Sequence, residues 1–259
     1  MPQSLSRKEI KNFLDEKVQQ YNTSDFIDSD PVQIPHRFSL KEDQEISGFL
    51  AATIAWGNRK MIIKNASKMM ELMGESPYDF IMESSLEQSE RLEGFVHRTF
   101  NSEDLSAFVL GLRNIYQNHG GLEKVFTSNQ EADSMQVSIS EFKKVFFESM
   151  PTHRARKHIS DPRVGSAAKR INMMLRWFCR VDQTGVDLGI WKDIPMAKLS
   201  CPLDVHAGNV ARKLGLLSRK QNDAKALFEL DQALRKMDPF DPVKYDFALF
   251  GLGVFEGFK

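Results

Sequence analysis

The sequence has only two cysteines, Cys179 and Cys201, and no CxxC pair. That excludes a four-cysteine zinc or iron–sulfur site and allows at most one disulfide. A reduced, cytoplasmic protein is expected. Six histidines are scattered, with no HExxH and no paired spacing, so neither a metal nor another cofactor is expected. No apolar run approaches the roughly 18 residues that span a bilayer. The N-terminal MPQSLSRKEIKNFLDEK is polar and lacks the apolar centre of a signal peptide, so no membrane partner is expected. Net charge is missing too, because 35 Lys and Arg balance 35 Asp and Glu. Total charge therefore selects no partner, and only its distribution can. Strand-like alternation, internal repeats, low-complexity tracts and a linker-like break in composition are also absent.

What is present is helical periodicity. Residues 5–21 carry Ile10, Phe13, Leu14 and Val18 along one side. A loop with Asp25, Asp28, Asp30, Pro31 and Pro35 follows. Ser39-x-x-Glu42 has the form of a capping box, ahead of Ile46, Phe49, Leu50, Thr53 and Ile54 at helical spacing. Gly57 ends that helix inside the loop WGNRK, and the next runs to Gly74. Further helices are predicted after Ser76-Pro77, from Ser102, over 122–126 and 137–149, from Ser166 to Arg180, after Asp204, from Asn222 or Asp223, and after Asp241-Pro242. About ten helices with short connections predict an all-α fold. The expected organisation is an N-terminal helix and loop (1–38) packed on one helical unit (39–259), with lobes near 39–150 and 151–259. A chain of this length buries an ample core, and a monomer is expected.

Charge is concentrated in one stretch. Residues 151–180 hold eight Lys and Arg against one acid, Asp161, which leaves 27 basic and 34 acidic residues elsewhere. A local basic patch on an otherwise acidic protein suits a polyanion, and chance clustering on a solvated surface is the alternative. Within the patch, PRVGS places a proline–glycine turn ahead of a helix whose free N–H groups can face a phosphate. Arg163, Gly165, Ser166, Arg170 and Arg176 are the candidates for that contact; an ordinary structural turn is the competing reading. Lys169 falls on the face opposite Ala168, Ile171, Met174, Leu175 and Phe178. A neutral lysine amine there can attack an electrophilic sugar carbon, whereas a solvated surface lysine does no chemistry. Asp204 precedes a helix, where backbone N–H groups fix a carboxylate in place, as stabilising a cationic sugar requires; plain capping is the alternative. His206 can orient a partner or pack. Trp56, Asn58 and Arg59 form a loop between two strong helices that can wedge into a base stack. Trp191 can stack on an extruded base. The competing reading of Trp56 and Trp191, and the ordinary one, is a partly buried aromatic in a core or at its rim.

Together these segments resemble the helix-hairpin-helix DNA glycosylases, the superfamily of endonuclease III. PLDVHAGNVARKLGL (202–216) is similar to that family's VDTHxxRVxxRLGL, with Asp204 and His206 on matching positions. The stretch from Ile46 to Ile81 resembles its first helix pair, with WGNR at the DNA-intercalating loop. NHGG (118–121) resembles the end of a further helix, and YDFALFGLGV (245–254) the closing one. The likeness covers roughly residues 39–255. The hairpin departs from the family's LPGVGxKxA: only Pro162-Arg163-Val164-Gly165 keeps part of it, and Ala167 stands at the lysine position. Lys169 lies two residues later, in AKRINMM, which is closer to the lysine helix of the archaeal 8-oxoguanine glycosylases. Val205 replaces the usual threonine, and the four-cysteine cluster loop is absent. KRxNMxLRW and DPxDPVKYDFALFGLGV also look like marks of a bacterial family of unknown function.

The resemblance implies a two-lobed helical bundle of the glycosylase type. It implies a DNA repair glycosylase with abasic-site lyase activity, in which Lys169 displaces a damaged base and Asp204 stabilises the charged sugar. The archaeal likeness alone suggests an oxidised purine. The implied partner is duplex DNA carrying a damaged or abasic nucleotide. Two other readings stay open: a non-catalytic DNA-binding module on the same fold, and a helical protein-interaction scaffold.

Overall fold

A computed structural model describes residues 6–83, 90–128 and 132–258. Thirteen described α-helices and one two-stranded ribbon, Val96–His97 paired antiparallel with Phe100–Asn101, make the chain all-α, as its periodicity predicts. α1 (Arg7–Tyr21) opens with a reciprocal capping box between Ser6 and Glu9. The stretch expected to be a loop instead holds two short helices, α2 (Asp25–Ser29) and α3 (Gln33–His36). The capping box expected at Ser39 does not form, because α4 (Lys41–Thr53) starts after Leu40 with no side-chain cap. α5 (Arg59–Leu72) is capped by Asn58, and α6 (Pro77–Met82) begins on its proline. In α7 (Ser102–Asn118) the cap is Asn101 paired with Asp104, one residue before the expected Ser102. α8 (Leu122–Thr127), α9 (Gln136–Phe146), α10 (Lys169–Cys179), α11 (Val205–Lys213), α12 (Ala224–Met237) and α13 (Tyr245–Val254) follow. No described helix is long and apolar enough to cross a membrane.

The helices bury two hydrophobic cores. The larger gathers α2 to α10 around Phe49, Phe108, Phe142 and Phe146, whose rings lie 5.0 to 5.6 Å apart, mostly edge to face. The smaller joins α1 to α11, α12 and α13 through Leu14, Val210, Leu230 and Leu249.

α10 corrects the sequence reading most sharply. Its polar side was expected to face solvent, yet Asn172, Met173, Arg176 and the following Arg180 are all buried. Acids from other segments receive both arginines. The Arg176 Nε donates to Asp187 at 3.1 Å and its Nη1 to Asp246. Arg180 reaches Asp241 at 3.0 Å, Asp182 at 2.6 Å and Asp187 at 3.1 Å. Both guanidinium groups also cover the Phe247 ring, at 4.3 and 5.4 Å from its centroid. A helical period marks a polar face but does not say whether water or carboxylates meet it.

α10 also packs closely on α4, because residue 48 has no side chain. A Cβ built on Gly48 would lie 2.6 Å from Cζ of Phe178, whose ring is fully buried. Gly48→Val should therefore destabilise the fold by about 2 kcal/mol or more through overpacking. Urea denaturation measures this, and an unchanged midpoint would show that the helices can part at no cost.

Candidate active site

The two cores meet at a cleft of about 660 Å³. The chain enters α10 through a tight hairpin beside it. Pro162–Val164 form a 3₁₀ turn, and Gly165 (φ +91°) and Ala168 (φ +44°) are both left-handed. That conformation costs an alanine about 1–2 kcal/mol, so neighbouring bonds must hold it. The Asp161 carboxylate accepts from the Arg163 N–H and the Ser140 hydroxyl, the Ser166 Oγ accepts from the Ala168 N–H, and the Gly165 carbonyl accepts from Ala224 N at 3.0 Å. In consequence α10 begins at Lys169, three residues after the expected Ser166, with no side-chain cap. Lys169 is half-buried and lines the cleft. Among the described residues its amine has no hydrogen bond and no ion pair.

Asp204 caps α11 as its position predicts. Its Oδ1 accepts from Ala207 N at 2.9 Å, and its carbonyl accepts from the Asn222 side chain at 2.8 Å. It lines the same cleft as Lys169. Two further carboxyl groups join them, Asp30 and Asp246, and sequence reasoning missed both. Asp30 sits between α2 and α3, and accepts from Val32 N at 3.1 Å. Burial raises its pKa, against the pull of Arg176, Arg59 and Lys169. Asp246 stands on α13. Burial pushes it up to about 6; its partner Arg176 opposes that rise, Asp204 adds to it and Lys169 opposes it. The Arg176 pKa rises despite burial, because Asp187 and Asp246 favour its charge. Asp246 had left a signal, as the one acid in an otherwise apolar helix, where a buried charge needs a partner. Asp30 had none, lying among other acids in a polar stretch.

Several predicted contacts turn inward. Arg170 donates to the carbonyls of Thr53 and His158 and lies 4.7 Å over Trp56, with burial lowering it to about 10. Arg176 is committed to its two aspartates. Neither is free to hold a phosphate. Trp56 packs against His97 (5.0 Å) and His158 (6.0 Å) as well as Arg170, so it forms a wall of the cleft rather than a free wedge. Trp191 lies outside the cleft, 1% exposed; its Nε1 donates to Glu45 at 2.6 Å and its ring meets Phe126 and Phe178. No base can reach it there. Asn58 is occupied as the cap of α5. Arg59 lies 4.5 Å over Phe250 and lines the cleft, as do Ser166 and the exposed His206. Arg163 and Gly165 are exposed on the hairpin, with Arg163 paired to Glu141. Arg154 binds Asp104 at 2.9 Å. Of the eight basic residues in 151–180, five therefore have hydrogen-bond or ion-pair partners within the chain, Arg154, Arg163, Arg170, Arg176 and Arg180, and Arg156 lies 5.3 Å over the Phe147 ring.

Residues 30–255 match a family model described as "Protein of unknown function (DUF2400)". The chain belongs to the DUF2400 family. No curated protein and no solved structure gives a significant match. In this DUF2400 protein the lysine and the three aspartates of the cleft all fall inside the matched stretch.

The elevated Asp246 has a consequence for stability. Its ordinary value is 3.8, and in the folded protein it is about 6. The folded state binds that proton more tightly, so the stability it contributes is full below about pH 4 and is lost as pH rises through 6. The Asp246 carboxyl carbon should titrate near pH 6 by ¹³C NMR. A midpoint near 4 would show that Arg176 outweighs burial.

Proposed function

We propose that this protein is a DNA base-excision glycosylase with abasic-site lyase activity, with Lys169 as its nucleophile. One observation carries the reading. Lys169 and Asp204 line a single cleft, and the lysine amine there makes no hydrogen bond or ion pair among the described residues. This convergence supports the resemblance to the helix-hairpin-helix glycosylases. A volume of about 660 Å³ accommodates one extruded nucleotide. Trp56 and Phe250, both only partly buried, offer apolar faces for the base.

In this reading the Lys169 amine, after giving a proton to a carboxylate of the cleft, attacks C1′ of the extruded sugar. The N-glycosidic bond breaks, and its electron pair leaves with the base, which takes up a proton. The Asp204 carboxylate offsets the positive charge that develops on the sugar. Nζ, now bonded to C1′, gives its proton to a carboxylate of the cleft. The sugar ring then opens: the Nζ lone pair forms the C1′=Nζ iminium as the C1′–O4′ bond breaks, and O4′ takes up a proton from a carboxylic acid of the cleft. Loss of a C2′ proton breaks the C3′–O bond and releases the 3′ phosphate, which completes the lyase step. A carboxyl near pKa 6, as at Asp246, can give or take a proton close to neutrality. With Arg170 and Arg176 turned inward, phosphate contacts fall to the exposed Lys60, Arg163 and His206, and to Arg59 at the cleft. The archaeal likeness continues to suggest an oxidised purine.

The inward turn of Arg170, Arg176 and Arg180 favours a second reading, a helical protein-interaction scaffold without DNA affinity. Borohydride trapping on duplexes containing an abasic site or 8-oxoguanine separates the two. The wild-type protein should give a covalent adduct, and Lys169→Gln should give none. Asp204→Asn should slow base excision about 100-fold or more while remaining folded. An adduct undiminished in Lys169→Gln would sink the nucleophile. A protein that neither forms an adduct nor binds duplex DNA at low salt would be the scaffold.

A further inference from the structure

A second cavity, of about 700 Å³, lies between α1 and α12 near the end of α11, and shares no lining residue with the cleft. Ile10, Leu216, Phe228, Ala233 and Met237 supply its apolar walls, and Arg7, Lys8, Lys11 and Lys236 its charged rim. Phe228 is 67% exposed. α12 already buries one apolar stripe, Leu227, Leu230 and Leu234, in the smaller core. It gives the cavity Phe228, Glu229, Gln232, Ala233, Lys236 and Met237, at i, i+1, i+4, i+5, i+8 and i+9; Phe228, Ala233 and Met237 make a second apolar stripe on this neighbouring face. An exposed apolar surface rimmed by charge marks an interaction site.

The rim has one sign of uncommitted charge. Glu229, the acid in the lining, accepts from the backbone N–H groups of Ser218 (2.6 Å) and Arg219 (3.3 Å). Lys11 is paired with Asp15. Arg7, Lys8 and Lys236 have no ion pair among the described residues. We propose that this groove docks an acidic amphipathic helix of a partner protein. A stripe more than two turns long between two helices is where a third helix lays its own apolar face. Cations on both sides require carboxylates flanking that face. A nucleic-acid backbone carries the right charge but has no apolar stripe to set on the floor. Residues 1–5 of this chain, MPQSL, contain no acid.

Fluorescence anisotropy on the full chain tests the proposal with three labelled helical probes: an amphipathic Glu/Leu peptide, its Lys/Leu counterpart, and a Glu/Ser peptide with no apolar face. The Glu/Leu probe should bind at least about tenfold more tightly than either of the others. Lys8→Glu combined with Lys236→Glu should weaken it about tenfold or more and admit the Lys/Leu probe instead. Phe228→Ser should weaken the Glu/Leu probe as well. All three positions are exposed, and circular dichroism confirms that the variants stay folded. Equal binding of the three probes, no binding, or binding indifferent to these substitutions overturns the proposal. So does saturable binding of decanoate without peptide discrimination, which would make the groove a small-amphiphile site. Self-association abolished by Phe228→Ser would assign the groove to a second copy and equally overturn it.

Discussion

The arrangement of the cleft depends on one buried ion network, in which Arg176 and Arg180 of the α10 segment meet Asp187, Asp246, Asp241 and Asp182. Two guanidinium groups taken out of water would be prohibitive alone, and four carboxylates, with the Phe247 ring beneath both guanidinium groups, make them tolerable. The acids come from two segments, the stretch after α10 and the last turn and helix before the C-terminus. Removing one partner leaves a desolvated charge and costs about 3–5 kcal/mol in comparable buried pairs. The network therefore does for α10 what a purely apolar contact would not. It fixes rotation as well as depth, since only one rotation presents both arginines to their acids.

That rotation is what brings Lys169 to the cleft. Arg176 lies two turns further along the same helix, and its partner Asp246 is itself in the cleft wall. One aspartate thus serves the fold through the arginine and the candidate site through its raised carboxyl. The strained hairpin at Ala168 acts at the other end of the lever. A left-handed alanine ahead of α10 starts the helix at Lys169 and leaves its first N–H groups without a side-chain cap. Strain of this kind persists only where surrounding bonds over-determine the backbone, and Asp161, Ser166 and Ala224 supply those bonds here.

Much of this was legible in the residues. The all-α class and most helix positions follow from spacing and capping chemistry, and Asp204 at the start of α11 is as local a signal as a sequence carries. Errors came where local rules compete. Ser39 and Ser102 both look like caps, yet Leu40 and Asn101 hold those positions, because a cap depends on where the chain turns and not on residue type alone. The basic stretch 151–180 invited an anion-binding reading. Arg154, Arg163, Arg176 and Arg180 in fact pair with acids, most of them far along the chain, and Arg170 donates to backbone carbonyls. Trp191 had the composition of a base-stacking residue, but Glu45, 146 residues away, draws its indole N–H into the larger core.

The sequence by itself therefore determined most of the helices and the capping of α11 by Asp204, since those depend on interactions within a few residues. Tertiary structure decided which polar groups face inward, which acids answer the buried arginines, and that Asp30 and Asp246 join Lys169 and Asp204 in one cleft. These are contacts between segments tens to more than two hundred residues apart, and a buried charge takes whichever partner the packing of the cores brings within reach.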